Sequence, residues 1–418
     1  MAVAERAECF WDTFDRVPFD FYESLRARGD VVWDEEMEAW LIVSAADARE
    51  VLRDERRFAF PYGTMRGAGP TFLKLRANNP RSLKFLSGDE HARMHRWWVR
   101  ELLSPKWVER YRSQLIRPSV QWLLDELEPR GHAELVEDFA ERLPLLVFSG
   151  LLGLPGDDDD ELIGRVKRLN DTYGLGTEIL QSMRMADAAP DPAHVAIVDR
   201  AVEASEELNR MLVPLIEARR DGAGEDFVSR LWSGGKEILD GWGDVDLLDA
   251  CRLLLFAGID TTTHALANGF HRILTMPGLA RELRGEGRVA IFAEELLRLD
   301  GSVHYRPRQA AVDVRLGGAE IKQGDMLMVL LLAANRDPAR HGCPHAVDLE
   351  RPAPRDHLAF SYGARACPGA ALARAELVDA FELALARFPS MELEGDAAPP
   401  GYKGFLMRSH RPLNVRLA

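Results

Sequence analysis

The order of apolar and polar positions along this chain is dominated by helical spacing. Amphipathic runs with a period near 3.6 cover roughly residues 105–130, 135–152, 158–185, 195–220, 244–275 and 279–299, and each predicts a helix with one face in the core. Period-2 alternation is scarce. Residues 31–33 and 40–43 flank an acidic turn and predict a hairpin, after which Ser44, with Asp47 three residues on, predicts a helix start running to Arg53. A second strand region is expected at 312–316, followed by the turn Gly317-Gly318, Ile321, and Gly324-Asp325 ahead of residues 326–332. The expected fold class is therefore mainly α with small β-sheets. Residues 59–80 and 185–192 lack clear periodicity and read as mobile loops. The acidic run 157–161 reads as a solvated helix start, with negative charge at the positive end of the dipole. Neither an internal repeat nor a linker interrupts the pattern, so one domain over 1–418 is expected.

Composition narrows the function classes. With 418 residues, 46% hydrophobic and 29% charged, the chain can bury a large core. Its net charge of −14 argues against nucleic acid or an anionic membrane surface as a partner. The longest mostly apolar stretch, 143–155, contains two prolines and falls short of the roughly 20 residues a membrane span needs, so no membrane anchor is expected. Glu5, Arg6 and Glu8 interrupt any signal-peptide pattern, and the reading is cytoplasmic. Four cysteines with no close-spaced pair do not make a disulfide framework.

The chemistry concentrates in Phe360-Ser361-Tyr362-Gly363-Ala364-Arg365-Ala366-Cys367-Pro368-Gly369, a loop of small residues that brings a cysteine to a helix start. Free N–H groups there favour a thiolate, and Gly363 and Gly369 let the backbone fold around the sulfur. Such a thiolate can ligate iron. A buried inert cysteine is the bland alternative, and zinc held by His341, Cys343, His345 or His357 with Cys367 is the sharper one, although no ligand-type spacing supports it. A second constellation, Ala257-Gly258-Ile259-Asp260-Thr261-Thr262, lies inside an otherwise apolar helix. A threonine hydroxyl can bond the carbonyl four residues back, here Ala257, and open a local distortion. A kinked core helix with a satisfied aspartate is the bland reading. Glu295-Leu296-Leu297-Arg298 places an i,i+3 pair on one helix face, which alone would be a surface ion pair.

Taken together and in order, these stretches resemble the cytochrome P-450 superfamily of haem-thiolate monooxygenases, particularly its soluble bacterial members. The family loop Phe-Gly-x-Gly-x-His/Arg-x-Cys-x-Gly is matched at Phe360, Gly363, Arg365, Cys367 and Gly369, with Ser361 in place of the first glycine. The resemblance implies a helical bundle around a buried haem b, with Cys367 as the axial iron ligand. It implies that Asp260 and Thr261 are the acid–alcohol pair of the oxygen groove beside Ala257, and that Glu295, Arg298 and Arg351 form a structural triad. His91, Arg308, His357 and Arg365 match the donors to the haem propionates. Where the family has arginine four residues after His91, this chain has His95; it lies about 40° from His91 around the helix, so it becomes the donor in place of Arg96, about 140° away.

The implied reaction inserts one atom of O2 into a hydrophobic organic substrate, by hydroxylation or epoxidation. No flavin or iron–sulfur pattern is present, so electrons are expected from a separate ferredoxin and its reductase, the ferredoxin docking on Arg93, Arg96 and Arg100. By position, residues 59–80, 171–185, Ala257, Val303 beside Ser302, Phe405 and Leu406 should line the substrate pocket. Two rival classes share the loop: a haem-thiolate peroxygenase or isomerase, against which the Asp260-Thr261 pair argues, and a catalytically idle binding module, against which Cys367 and the triad argue.

Overall fold

The computed structural model describes residues 8–13, 16–61, 74–75, 79–154, 160–183, 191–404 and 406–418. Helices predominate. The expected hairpin forms as β1 (Val31–Asp34) and β2 (Ala39–Ile42), with Trp33 opposite Trp40 in an edge-on contact at 5.2 Å. Asp34 closes its turn by accepting from the backbone N–H groups of Glu36 and Met37. Ser44 caps the next helix, Ala45–Arg53, by accepting from Asp47 N at 3.1 Å, as its spacing predicts.

β2 pairs in parallel with β8 (Met326–Leu330), and β8 pairs antiparallel with β5 (Tyr305–Ala310), which continues to β3 (Phe58–Ala59). This gives a five-stranded sheet in the order β1-β2-β8-β5-β3. Strands are more widespread than the alternation predicts. β4 (His132–Glu134), β9 (Met391–Leu393) and β12 (Asn414–Leu417) form one small sheet, β10 (Gly401–Gly404) pairs with β11 (Arg408–Arg411), and β6 (Val314–Leu316) pairs with β7 (Ala319–Ile321). Most of these are three or four residues long and carry charges, too short for a period-2 signal. β5 was hidden because Arg306, Pro307, Arg308 and Gln309 break its apolar pattern, although Pro307 and Arg308 are both buried.

The long helix Asp244–Thr275 runs unbroken through the expected distortion at Gly258–Thr261. A Cβ on Gly258 would fall 2.0 Å from the Phe148 ring, so glycine there sets how closely the helix Arg142–Leu152 can pack. Run 279–299 divides into Leu279–Leu283 and Arg288–Asp300, and run 105–130 is interrupted by the π-type segment Arg112–Ile116. The helix Phe227–Ile238 lies outside every predicted run. Two apolar cores result. One gathers Leu254, Phe270, Leu296, Leu372 and Phe381 among the helices, and the other gathers Phe256, Val303, Leu327 and Leu406 around the large sheet. A cavity lies where they meet, lined from both.

Candidate active site

Cys367 reaches this cavity on a loop whose backbone is held at several points. Ser361 adopts φ +62° and Gly363 φ +76°, Gly363–Arg365 form one 3-10 turn, and Cys367 N donates to Phe360 O at 2.8 Å. A Cβ on Gly363 would lie 2.9 Å from Arg53 Cα and 3.0 Å from Leu52 O, so the loop seats against the helix Ala45–Arg53 only with glycine there. The Cys367 side chain opens into the cavity and is accessible from it, although protein surrounds the residue. Burial pushes its thiol pKa up, and the Gly369 N–H and the charges of Arg306 and Arg374 offset this in part. The expected thiolate is thus not favoured by the polypeptide alone, because desolvation outweighs the N–H groups. The zinc alternative gains nothing: among the described residues no cluster of metal-ligating side chains forms.

At one edge of the cavity stand His91, His95, Arg308 and Arg365. His91 is buried on the helix Gly88–Trp97, and its Nδ1 has no hydrogen-bond partner. Burial, aided by the Arg365 charge, lowers its pKa to about 4, so it is neutral near pH 7. His95 stacks on it with centroids 5.7 Å apart, as the helical angle requires. However, His95 Nε2 donates to the Ala366 carbonyl at 2.7 Å, so one of its two ring nitrogens is taken by the cysteine loop. His95 thus clasps the cysteine loop, and the anion-donor role expected of it would fall to Nδ1. Arg308 and Arg365 both lie over the Phe60 ring, at 5.5 and 4.7 Å, and Arg365 is ion-paired with Glu55 and donates to Leu86 O.

His357 stands apart from this group. It is not among the lining residues: its Nδ1 accepts from Ala359 N, so Nε2 donates to Glu294 Oε2 at 3.0 Å. Glu294 also binds Arg374 and Arg355. Burial would raise its pKa, but hydrogen bonds from His357 and Arg374 hold it near 2. Sequence reasoning passed over Glu294; its place beside Glu295 was the available signal.

On the long helix, Ala257 and Thr261 face the cavity and Asp260 does not. Thr261 Oγ1 donates to Ala257 O at 2.7 Å, and the Ser302 hydroxyl donates to the Thr261 carbonyl. Asp260 turns toward the helix Asp160–Met183, where Asn170 Nδ2 donates to its Oδ1 at 2.8 Å. Gly174 makes room for it, since a Cβ there would fall 2.9 Å from Asp260 Oδ2.

Glu295, Arg298 and Arg351 do come together, away from the cavity. Arg298 binds Glu295 through Nε and Nη2, and its guanidinium also donates to the carbonyls of Asn335, Pro344 and Ala346. Arg351 Nε reaches Glu295 Oε1 at 2.7 Å, and Asp348 N adds a third donor to that carboxylate.

Much of the lining is apolar and includes Phe256, Val303, Leu406 and Met407. Val303 and Met407 form an isolated β-bridge that ties the approach to β5 to the C-terminal hairpin. Phe405 and most of 59–80 lie outside the described residues. Among the described side chains of 171–185 none lines the cavity; Tyr173 instead packs edge-on against Phe256 at 5.0 Å. Lys84, Trp98, Phe148, Arg306 and Glu376 also line it, and none was picked out from sequence.

Comparison with known proteins follows the same lines. A family model described as "Cytochrome P450" matches residues 31–294 and 289–415. The chain is 32% identical to "Cytochrome P450 monooxygenase PikC" of Streptomyces venezuelae, covering 96% of this chain and 91% of that protein. It is 30% identical to "Putative cytochrome P450 YjiB" of Bacillus subtilis, over 90% of this chain and 88% of that one. Among solved structures, CYP109B1 from Bacillus subtilis superposes with a TM-score of 0.79 at 27% identity, covering 96% of this chain and all of that one.

Proposed function

The chain belongs to the cytochrome P450 family, and from that premise we propose that it inserts one oxygen atom from O2 into a hydrophobic organic substrate, as one domain, with electrons from a separate ferredoxin. The observation that carries this is that Cys367 and Thr261 line one largely apolar cavity. The residues present fit haem b. A thiol opens into the cavity, His91 Nδ1 is buried there without a partner, and Arg308 and Arg365 stand at the same edge for two carboxylates. Cys367 would ligate the iron, and His91, Arg308 and Arg365 would hold the propionates. When bound, the haem supplies the redox chemistry that activates oxygen.

The chain's own residues supply the rest. Apolar side chains such as Phe256, Val303 and Leu406 exclude water and hold substrate by shape. Thr261, its proton directed to Ala257 O, keeps its lone pairs for a water in the cavity. Asp260, steadied by Asn170 behind the wall, takes protons arriving from outside and passes them through water toward Thr261 Oγ1. Glu295, Arg298 and Arg351 hold the segment that leads into the cysteine loop.

Arg93 and Arg96 are exposed on the helix whose other face carries His91, and they favour an acidic partner against the net charge of −14. Among the described residues no helix is long and apolar enough to cross a membrane, and a cytoplasmic site of action belongs to this reading. The test is the purified, reduced protein under carbon monoxide. A thiolate-type red-shifted band, absent in Cys367→Ser, is expected; an unchanged band in that variant would remove Cys367 from the role.

A further inference from the structure

Lys84 lines the cavity, and the oxygen chemistry above gives it no task. It is half-buried just ahead of the helix Gly88–Trp97, and its ammonium nitrogen lies 5.2 Å from the centre of the Phe256 ring. The ring face attracts a cation, so the charge is kept at an apolar wall of the cavity. Phe256 belongs to the long helix that also carries Thr261, and the two are about 7.5 Å apart along its axis. Tyr173 packs edge-on against the same ring and steadies it.

The charges around the cavity share one sign. Among its described lining residues, Lys84, Arg306, Arg308 and Arg365 are basic and Glu376 is the only acid. Glu376 is fully buried, which pushes its pKa well above the carboxylate range, so it adds no negative charge near pH 7. Asp54 and Glu55 line an adjoining recess that Lys84 also lines, but they are engaged by Arg57 and Arg365. Arg308 and Arg365 answer to the haem propionates in the reading above, and Arg306 lends its charge to Cys367. Lys84 differs from these because its charge sits on an aromatic ring of the helix that bears Thr261.

We propose that Lys84 binds a carboxylate of the substrate, so that the molecule oxidised here is a hydrophobic monocarboxylic acid. The proposal deepens the monooxygenase reading and rests on it for the use made of the bound acid. Such an acid is ionised near pH 7. Entering a largely apolar cavity strips its carboxylate of water, and a charge-assisted hydrogen bond from an ammonium offsets that loss. The apolar body then packs on side chains such as Val303 and Leu406. With the carboxylate beside Phe256, the acid end is kept apart from Thr261, so the carbon oxidised lies several bonds away from it.

The test is titration of the haem-loaded protein with straight-chain and aryl-substituted carboxylic acids of graded size, each beside the alcohol of the same skeleton. Binding is read from the haem spectrum and from the heat of binding. At least one acid is expected to bind more tightly than its alcohol. In Lys84→Met and Lys84→Gln that acid should lose affinity by about tenfold or more, the scale of a hydrogen bond to a charged group, while the alcohol binds as before. Lys84→Arg should keep the preference for the acid. Under turnover the loss should fall on KM with kcat little changed, as removal of binding common to ground and transition states requires. No acid preferred over its alcohol in the wild type, or a preference that survives in Lys84→Met and Lys84→Gln, overturns the proposal. Loss of haem from both variants would assign the lysine to the haem carboxylates and overturns it too. An acid that binds through Lys84 yet gives no oxygen-dependent product sinks the monooxygenase reading and leaves the carboxylate site standing.

Discussion

Arg298 closes on Glu295 through two hydrogen bonds of 2.8 Å, Nε to Oε1 and Nη2 to Oε2, and neither side chain has exposed surface. Burial alone would raise the Glu295 pKa, but the hydrogen bonds from Arg298 and Arg351 keep it below its usual value. Removing either partner strands the other as a buried charge, so Glu295→Ala and Arg298→Ala should each cost roughly 3–5 kcal/mol. Arg298→Lys should fail similarly, because an ammonium cannot serve two carboxylate oxygens and three carbonyls at once. Haem content after expression and the urea midpoint are the measurements. Normal values in both alanine variants would reduce the pair to an incidental contact.

Ser361 and Gly363 make a contrasting pair. Both have positive φ, but Ser361 carries a side chain there, which costs roughly 1–2 kcal/mol in the left-handed region. Ser361→Gly relieves this while adding about 0.5–1 kcal/mol of chain entropy to be lost on folding, so it should be neutral or stabilising by about 1 kcal/mol. Gly363→Ala meets strain and the backbone of Arg53 together, and should lose haem retention and several kcal/mol. Chemical denaturation of the two variants side by side gives the answer, and equal stability would mean that the loop is not seated on the helix Ala45–Arg53.

Acid should destabilise this protein early. Burial is the first cause lowering six histidines from the usual 6.5: His91, His271 and His341 to about 4, His264 and His410 to about 3, and His304 well below its usual value. These groups are neutral when folded and take up protons when unfolded. Their contribution is therefore complete above about pH 6.5 and is lost as pH falls toward 4 and then 3. His271 and His410 are stacked at 3.5 Å, so charging both is unfavourable, although Asp300 nearby opposes this. The thermal midpoint should fall steadily below pH 6.5, and His271→Phe should flatten the slope. A midpoint constant from pH 7 to 4.5 would contradict the buried, neutral assignment.

Thr261→Ala removes the hydroxyl that faces the cavity and leaves the helix intact, because the Ala257 carbonyl keeps its backbone partner. Substrate should bind and reductant should still be consumed, with oxygen leaving as hydrogen peroxide. A loss of product yield of the order of 10²-fold is the scale for a positioned proton-transfer group. Peroxide and product are measured per reductant consumed; an unchanged ratio would assign the relay to another group.

How much was legible follows from what each motif encodes. The cysteine loop, the Glu-x-x-Arg turn and the Ala257–Thr262 run are local, so residue type and spacing placed Cys367, Glu295, Arg298 and Thr261 where the structure has them. Helical angles put His91 and His95 on one face, which is also local. What they bond to is not: Glu294 claims His357 from 63 residues away, and the Ala366 carbonyl claims His95 across 271. Arg308 and Pro307 hide β5 for the same reason, since its partners β3 and β8 belong to distant stretches. Glu376 looked like any helical glutamate until its surroundings were known.

The electron donor sets the final prediction. Measured around the helix Gly88–Trp97, Arg93 and Arg96 fall opposite His91 and are exposed, so they face away from the cavity edge. Arg100, expected to share the stripe, lies in the π-type segment Trp98–Leu102 and is paired with Glu101, which reduces its availability to a partner. Arg93 and Arg96 therefore carry the local positive field that an acidic ferredoxin would meet on a chain of net charge −14. Reversing both, as Arg93→Glu with Arg96→Glu, should slow reduction by the ferredoxin by about tenfold or more at low salt, since steered association is enhanced 10–10³-fold. The deficit should shrink as ionic strength rises and screening shortens to about 10 Å at 0.1 M salt. Substrate-induced spectral shifts should be unaffected, because the cavity wall is untouched. Stopped-flow reduction across a salt series decides it: a variant with the wild-type rate and the wild-type salt slope would place the donor on another face.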